Sequence, residues 1–369
     1  MINKYTKTIV IILTTALILA VGCSSGNGSN PPSVEQPTEV PIAETFTVEP
    51  TLEPTVEPTL APTAEPIDYS VTKPYEVGQI MILMYHYLTD ETTSSPYDRT
   101  REDFRNDLQT LYDRGFRLIS MKDLIVNNIT TPAGFTPVVI TFDDGHNTAF
   151  SLIESNGELI PDPNCAVGIM QQFAAAHPDF GCSATFYVNG DKPPFPGDGT
   201  LEDRIGYLVS NGFDVGNHTN SHLSMKDLTA EEIQKELGIT DKMIKDAMPG
   251  YYPVGIAYPF GIQPAQDLIY YLRDGEYEGH SYHYDFALCV GQSGSPSAPN
   301  RVDFAPFNMP RVRASNNEDT DLGWSFDFFE QHPEYRYVSD GDPQTIVVPE
   351  AYNENVNENS LGNKNLILY

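Results

Sequence analysis

Two short stretches concentrate the residues able to do chemistry. Thr141-Phe142-Asp143-Asp144-Gly145 follows the apolar run Val138-Val139-Ile140, so adjacent carboxylates stand at the end of a buried-strand pattern. His218-Thr219-Asn220-Ser221-His222 follows Asp214-Val215-Gly216-Asn217 and sets two imidazoles in a His-x-x-x-His spacing. One aspartate with both histidines makes a set of hard and borderline donors that leaves coordination positions open, as a catalytic divalent cation requires. The other aspartate is then free to act as a base. Alone, Asp-Asp-Gly is a common turn, and His-x-x-x-His is often a pair of structural histidines. Their occurrence together, each behind a strand-like run, points to metal-assisted hydrolysis.

The surrounding pattern alternates strand and helix. Strand-like runs are Ile80–Tyr85, Arg117–Ile119, Val138–Phe142, Ser183–Val188, Asp214–Gly216, Gly255–Tyr258, Asp285–Val290 and Met309–Arg313. Between them, apolar residues at helical spacing predict helices over Arg101–Arg114, Met121–Val126, Ala166–Ala176, Asp203–Asn211 and Pro264–Arg273. Thr229-Ala230-Glu231-Glu232 is a capping box opening another helix to about Ala247. Such alternation implies an α/β fold of parallel βαβ units, and about seven strands favour a barrel over an open sheet. Chemistry on a barrel sits at the C-terminal ends of the strands, where both motifs fall.

The ends of the chain read differently. In residues 1–23, Lys4 and Lys7 precede an apolar run, Ile9–Val21, too short for a comfortable membrane span. Ala20-Val21-Gly22-Cys23 is similar to a lipobox, with Ala20 where Leu is usual, so Cys23 is the expected lipid anchor; an ordinary secretory signal is the alternative. Residues 24–74 carry a Thr-x-Glu-Pro repeat (Thr47–Pro50, Thr51–Pro54, Thr55–Pro58) and no basic residue from Ser24 to Thr72. Periodic proline removes amide donors and like charges repel, so this segment is expected to be a disordered, extended tether. Residues 75–315 would form the folded domain. Residues 316–369 would be an extension packing on it or partly disordered. The net charge of −30 and pI near 4.4 argue against nucleic acid and anionic lipid headgroups as partners, and suit a neutral or cationic glycan. Outside the cytoplasm Cys165 and Cys182, which bracket an expected helix, could form a disulfide if its ends meet, whereas Cys289 reads as a buried thiol.

The motifs together resemble the polysaccharide deacetylases, the NodB-homology or carbohydrate esterase family 4 proteins. Thr141–Gly145 and His218–His222 match the family signature in order, followed by Ala257-Tyr258-Pro259-Phe260-Gly261. Ile82-Leu83-Met84-Tyr85-His86 looks like the family's first strand, and Asn308-Met309-Pro310-Arg311-Val312 like a late one. The resemblance covers roughly residues 78–315, and Tyr85-His86 with the Ala-Tyr-Pro-Phe-Gly form is similar to the branch that deacetylates poly-β-1,6-N-acetylglucosamine. It implies a distorted (β/α) barrel. It also implies Asp144, His218 and His222 as metal ligands, Asp143 as general base, and the Phe260 backbone N–H as oxyanion donor. Zinc is the expected metal, with cobalt, nickel, manganese or iron also suited to these donors. His86, Tyr258 and Pro259 are expected in the pocket, and Thr219 and Ser221 are expected to orient the imidazoles or cap the turn.

The chain departs from the family at three places. Ala257 stands where many members have an arginine that orients the catalytic aspartate, and Arg311 is the candidate to replace it. The family's late Leu-x-His, whose histidine acts as general acid, is not visible; His86, His280, His283 and His332 remain. Asn156–Asn164 is an added polar loop, expected to be surface decoration. The leading expectation is therefore an outward-facing, lipid-anchored, monomeric hydrolase removing N-acetyl groups from a cell-surface or extracellular N-acetylglucosamine polymer. The alternatives are an O-acetyl esterase on a polysaccharide such as xylan, and a weakly active glycan-binding lipoprotein. The aromatic-rich stretch Trp324–Tyr337 reads as packed core before it reads as a sugar platform.

Overall fold

The computed structural model describes residues 67–91, 95–290, 294–315 and 321–369. The signal segment, Cys23 and residues 24–66 of the expected tether lie outside the described residues. The folded part begins ahead of Tyr75. Asp68 caps a short helix, Tyr69–Thr72, by accepting from the Ser70 N–H at 2.9 Å.

The main sheet is parallel. Its strands are β1 (Met81–Tyr85), β2 (Phe116–Leu118), β3 (Thr136–Phe142), β4 (Thr185–Val188), β5 (Asp214–Asn217), β6 (Ile256–Ala257), β7 (Ala287–Leu288) and β8 (Val312–Arg313). Their order is β7-β6-β5-β4-β3-β1-β8, with β2 beside the first half of β3. Every residue of β1 and β3 is buried, as expected for parallel strands covered on both faces. The sheet curls as a distorted (β/α) barrel. Its two edges approach through a bridge between Leu288 and Met309, where the Cys289 N–H donates to Met309 O at 2.8 Å.

Helices cover the outside: α1 (Arg101–Asp113), α2 (Ala166–Ala176), α3 (Leu201–Ser210) and α4 (Ala230–Ala247). Thr100 caps α1, and reciprocal capping boxes open α3 (Thr200, Asp203) and α4 (Thr229, Glu232). Two layers of core result. Leu108, Phe142, Phe150, Phe186 and their neighbours fill the space between sheet and helices, with Phe142 and Phe186 stacked at 5.2 Å. Ile82, Val139, Tyr187, Leu288 and Met309 fill the barrel interior.

Several elements differ from the sequence reading. The helix expected over Pro264–Arg273 starts late, because Ala265 is extended (ψ 145°), and consists of a 3-10 turn, Gln266–Leu268, followed by one turn of α-helix, Tyr270–Arg273. The added segment near 156–164 belongs to an antiparallel hairpin, Leu152–Ser155 with Glu158–Pro161. A second hairpin, Asp274–Tyr277 with His280–His283, and a further helix, α5 (Leu322–Gln331), had no sequence counterpart. Cys165 and Cys182 are free thiols rather than a disulfide. The 11-residue helix α2 separates them by about 16 Å of rise. Phe180, just before Cys182, is held on β2 by the Leu118 N–H (2.7 Å) instead of returning toward Cys165. In the C-terminal part, Phe326, Phe329 and Tyr337 are buried, and Thr345–Val348 pairs in parallel with Asn365–Leu368.

Candidate active site

Because the strands run parallel, their C-terminal ends share one rim. Tyr85 and Phe142 are register partners there, so His86 and Asp143 follow side by side. Val188 pairs with Asn217, which puts His218 at the same level, and Ile256 pairs with Asn217 from the other side. The rim encloses a cavity of about 290 Å³ lined by His86, Tyr87, Tyr97, Asp98, Asp143, Asp144, His218, His222, Tyr258 and Phe260 among others.

Asp144, His218 and His222 each present one ligand atom, and these atoms all lie within 4.8 Å of one another. Asp144 Oδ1 stands 3.6 Å from His218 Nε2 and 3.7 Å from His222 Nε2. The cluster fits a divalent cation on two independent observations. His218 Nε2 is buried without a hydrogen-bond partner among the described residues, so its lone pair is otherwise wasted. His218 Nδ1 meets Ala257 O at 2.7 Å, which makes Nδ1 the donor and leaves Nε2 as the ligand atom. Of the eight histidines in the chain, His146 packs against Tyr87 beside the site with the rings tilted at 42° (centroids 3.7 Å apart), and His280, His283 and His332 pair with carboxylates away from the cavity.

Asp143 is 1% exposed and is gripped by Arg311, itself buried, which donates from Nη1 to Oδ1 at 2.7 Å and from Nη2 to Oδ2 at 2.6 Å. Burial pushes the Asp143 carboxyl up, but the Arg311 guanidinium and the His218 and His86 rings outweigh it, holding the group well below the usual carboxylate range. Arg311 thus stands where Ala257 leaves a guanidinium missing. It reaches in from just ahead of β8, and its Nη1 also donates to Thr141 Oγ1 at 3.1 Å. His86 Nε2 lies 3.8 Å from Asp143 Oδ2, and its Nδ1 is buried and unpartnered among the described residues. Burial lowers the His86 pKa, with the Asp143 and Asp144 charges opposing.

The backbone is strained where the site needs it. Asp144 (φ 70°), Thr219 (φ 66°), His222 (φ 52°) and Phe260 (φ 58°) are all left-handed, a region few non-glycine residues enter. Phe260, 63% exposed, sits at the cavity mouth with its ring 4.7 Å from that of His222. Gly261 (φ +69°) allows this turn, since a Cβ there would lie 2.5 Å from Val290 N. Tyr258 is buried and donates to Phe307 O at 3.0 Å, and Pro259 opens the turn that carries Phe260. The added hairpin contributes no residue to the cavity.

Sequence reasoning missed two supporting asparagines. Asn217 accepts from the Thr219 N–H (2.8 Å) while its amide donates to Leu237 O and Tyr284 Oη, and Asn189 donates to His218 O (2.8 Å). Asn217 was visible as the residue directly ahead of the His218 motif, at the end of its strand. Asn189 had no distinguishing signal. The sequence also gave no reason to expect Tyr97 and Asp98 in the cavity wall, because they arrive on a short strand, Asp98–Thr100, paired with Tyr87–Thr89.

Comparison with known proteins converges on one family. Residues 131–279 match the family described as polysaccharide deacetylase. "Putative polysaccharide deacetylase YxkH" of Bacillus subtilis is 23% identical over 245 residues, covering 66% of this chain and 74% of that protein. Among solved structures, BC0361, a polysaccharide deacetylase from Bacillus cereus, is similar at 21% identity and a TM-score of 0.47; the match spans 64% of this chain and only 65% of the BC0361 chain. IcaB from Ammonifex degensii is similar at 19% identity and a TM-score of 0.45, over 71% of this chain and 98% of IcaB. The region that matches the polysaccharide deacetylase model, residues 131–279, contains Asp143, Asp144, His218 and His222, so the carboxylates and imidazoles of the site all fall within it.

Proposed function

We propose that this protein is a metal-dependent N-deacetylase acting on a polymer that contains N-acetylglucosamine, held outward from the cell membrane by lipid on Cys23. The observation that carries the reading is the Asp144–His218–His222 cluster lying directly beside an arginine-gripped Asp143. A divalent cation held by those three residues, zinc by donor type, supplies Lewis acidity toward water and an acetamide oxygen. Asp143 takes the proton of the attacking water. Arg311 fixes both of its oxygens and still leaves lone pairs free, since a carboxylate offers about four acceptor sites. Phe260, in a left-handed turn that lines the cavity, is assigned as the backbone N–H donor to the developing oxyanion. His86, 3.8 Å from Asp143, is the imidazole placed to return the proton to the departing nitrogen. Tyr87, Tyr97 and Phe260 at the mouth offer apolar faces to sugar rings. The lipid anchor rests on the Ala20–Cys23 pattern, and loss of membrane fractionation in Cys23→Ala tests it.

The test is acetate release. Residues 67–369, loaded with zinc or cobalt, are incubated with β-1,4- and β-1,6-linked N-acetylglucosamine oligomers and with acetylated xylan, and acetate is measured by mass spectrometry. Release from the amino sugars that chelator abolishes and Asp143→Asn removes is the expected result, and the preferred linkage names the polymer. Release from xylan alone would replace the amidase reading with an esterase. A metal-loaded protein inert on all three would refute both.

A further inference from the structure

The two histidine ligands are supported differently. His218 is locked by its Nδ1 contact with Ala257 O, and its carbonyl is held by Asn189. The His222 ring makes no hydrogen bond to another residue among the described residues, and its side chain is 33% exposed. Beyond ring contacts with His218 and Phe260, its position is set through its backbone.

That backbone is fastened one residue earlier. Glu236, on α4 and 5% exposed, accepts from the Ser221 N–H at 2.7 Å with Oε2 and from Ser221 Oγ at 2.6 Å with Oε1. Both carboxylate oxygens are used on a single residue. Ser221 lies between Thr219 and His222, the two left-handed residues of the loop. A buried carboxylate facing a backbone amide and a hydroxyl, with no cation in contact among the described residues, is costly to desolvate and is retained where its geometry matters. Behind it the helix is fixed by a second buried carboxylate. Asp241 takes Lys245 Nζ (2.6 Å), His280 Nε2 (2.8 Å) and Tyr284 Oη (2.7 Å), and Tyr284 in turn receives the Asn217 amide.

We infer that Glu236 is a positioning residue for the metal centre: by holding Ser221 it sets the reach of His222 toward Asp144 and so determines how tightly the cation is retained. The inference rests on the metal-dependent reading above and goes beyond it. Glu236 touches neither metal nor substrate.

The experiment titrates metal-free wild type, Glu236→Ala, Glu236→Gln and Asp246→Asn with Zn²⁺ against a chromogenic chelator, alongside the Co²⁺ visible spectrum and thermal unfolding. Outer partners of metal ligands typically carry about 10–100-fold in affinity, so Glu236→Ala should weaken zinc binding by that factor and alter the Co²⁺ band. Glu236→Gln, which keeps an acceptor for the Ser221 N–H, should fall between. Asp246→Asn, on the exposed part of the same helix, should match wild type. Saturating zinc should restore most of the Glu236→Ala turnover. A Glu236→Ala protein that melts earlier yet binds zinc within about twofold of wild type would overturn the inference, being structural only. Should Glu236→Ala not fold, Ser221→Ala removes one of the two bonds, and an unchanged zinc affinity there would overturn it equally. Wild type that shows the zinc shift but releases no acetate would sink the deacetylase reading and leave the clamp standing.

Discussion

Replacing Arg311 with methionine removes the guanidinium that grips Asp143 and leaves the carboxylate buried. The pair is bidentate, at 2.6 and 2.7 Å, with the arginine side chain 0% and the aspartate side chain 2% exposed. Breaking one side of such a pair costs about 3–5 kcal/mol, because the remaining buried charge loses its hydrogen-bonded partner. At roughly 2 °C per kcal/mol for a domain of this size, the midpoint of thermal unfolding should fall by roughly 6–10 °C. Asp143→Asn combined with Arg311→Met should recover a large part of that loss, since no charge is then stranded. Activity has its own signature. Without the guanidinium, burial is less opposed and the Asp143 pKa rises, so the acid limb of the kcat/KM profile moves to higher pH. Turnover should fall by about 10²-fold or more as the base loses its fixed orientation. Differential scanning calorimetry and a pH–rate profile of zinc-loaded protein read both effects. An Arg311→Met protein with an unshifted melting point and an unshifted acid limb would refute the argument that this ion pair tunes the base.

Glu76 is 3% exposed, and burial together with the Asp340 charge raises its pKa to about 8 from 4.5. The folded state then keeps a proton that the unfolded state loses, so this group's contribution to stability is full below about pH 4.5 and declines by about 1.4 kcal/mol per unit up to about pH 8. Urea denaturation at several pH values should show that decline, and Glu76→Gln should flatten it. Gly261→Ala forces a Cβ to 2.5 Å from Val290 N at a φ of +69°, so it should shift the Phe260 turn and lower kcat with little change in zinc affinity; unchanged kcat would remove Phe260 from the oxyanion role. Removing metal with chelator should lower the melting point, and zinc at about 100 times its Kd should restore about 2.7 kcal/mol.

The legible part of this chain was its periodic part. Val138–Phe142 announced a buried strand, Thr229 and Glu232 announced a helix start, and both held because local propensity and tertiary burial agree there. The metal-ligand cluster was legible because its donors lie in two short motifs placed at strand ends. Arg311 was foreseen only as a neighbouring-strand candidate. Its bidentate grip depends on β8 lying beside β1, a long-range pairing that no local pattern encodes. Glu236 and Asn189 were invisible for the same reason: a glutamate on an amphipathic helix looks solvated until a loop folds over it. The Asp274–His283 hairpin was missed because its turn, Glu278-Gly279, lacks the usual Asn or Asp before glycine, although both residues take positive φ.

Thr219 has a particular consequence among the left-handed residues. It is β-branched, holds φ at 66° and has a buried hydroxyl without a partner among the described residues, yet it is not one of the three residues placed to bind metal. Thr219→Gly should therefore make the protein more stable while letting the flanking imidazoles wander. Selection for heat resistance alone would drift toward that change, and selection for turnover would reverse it, so the two pressures pull this position in opposite directions.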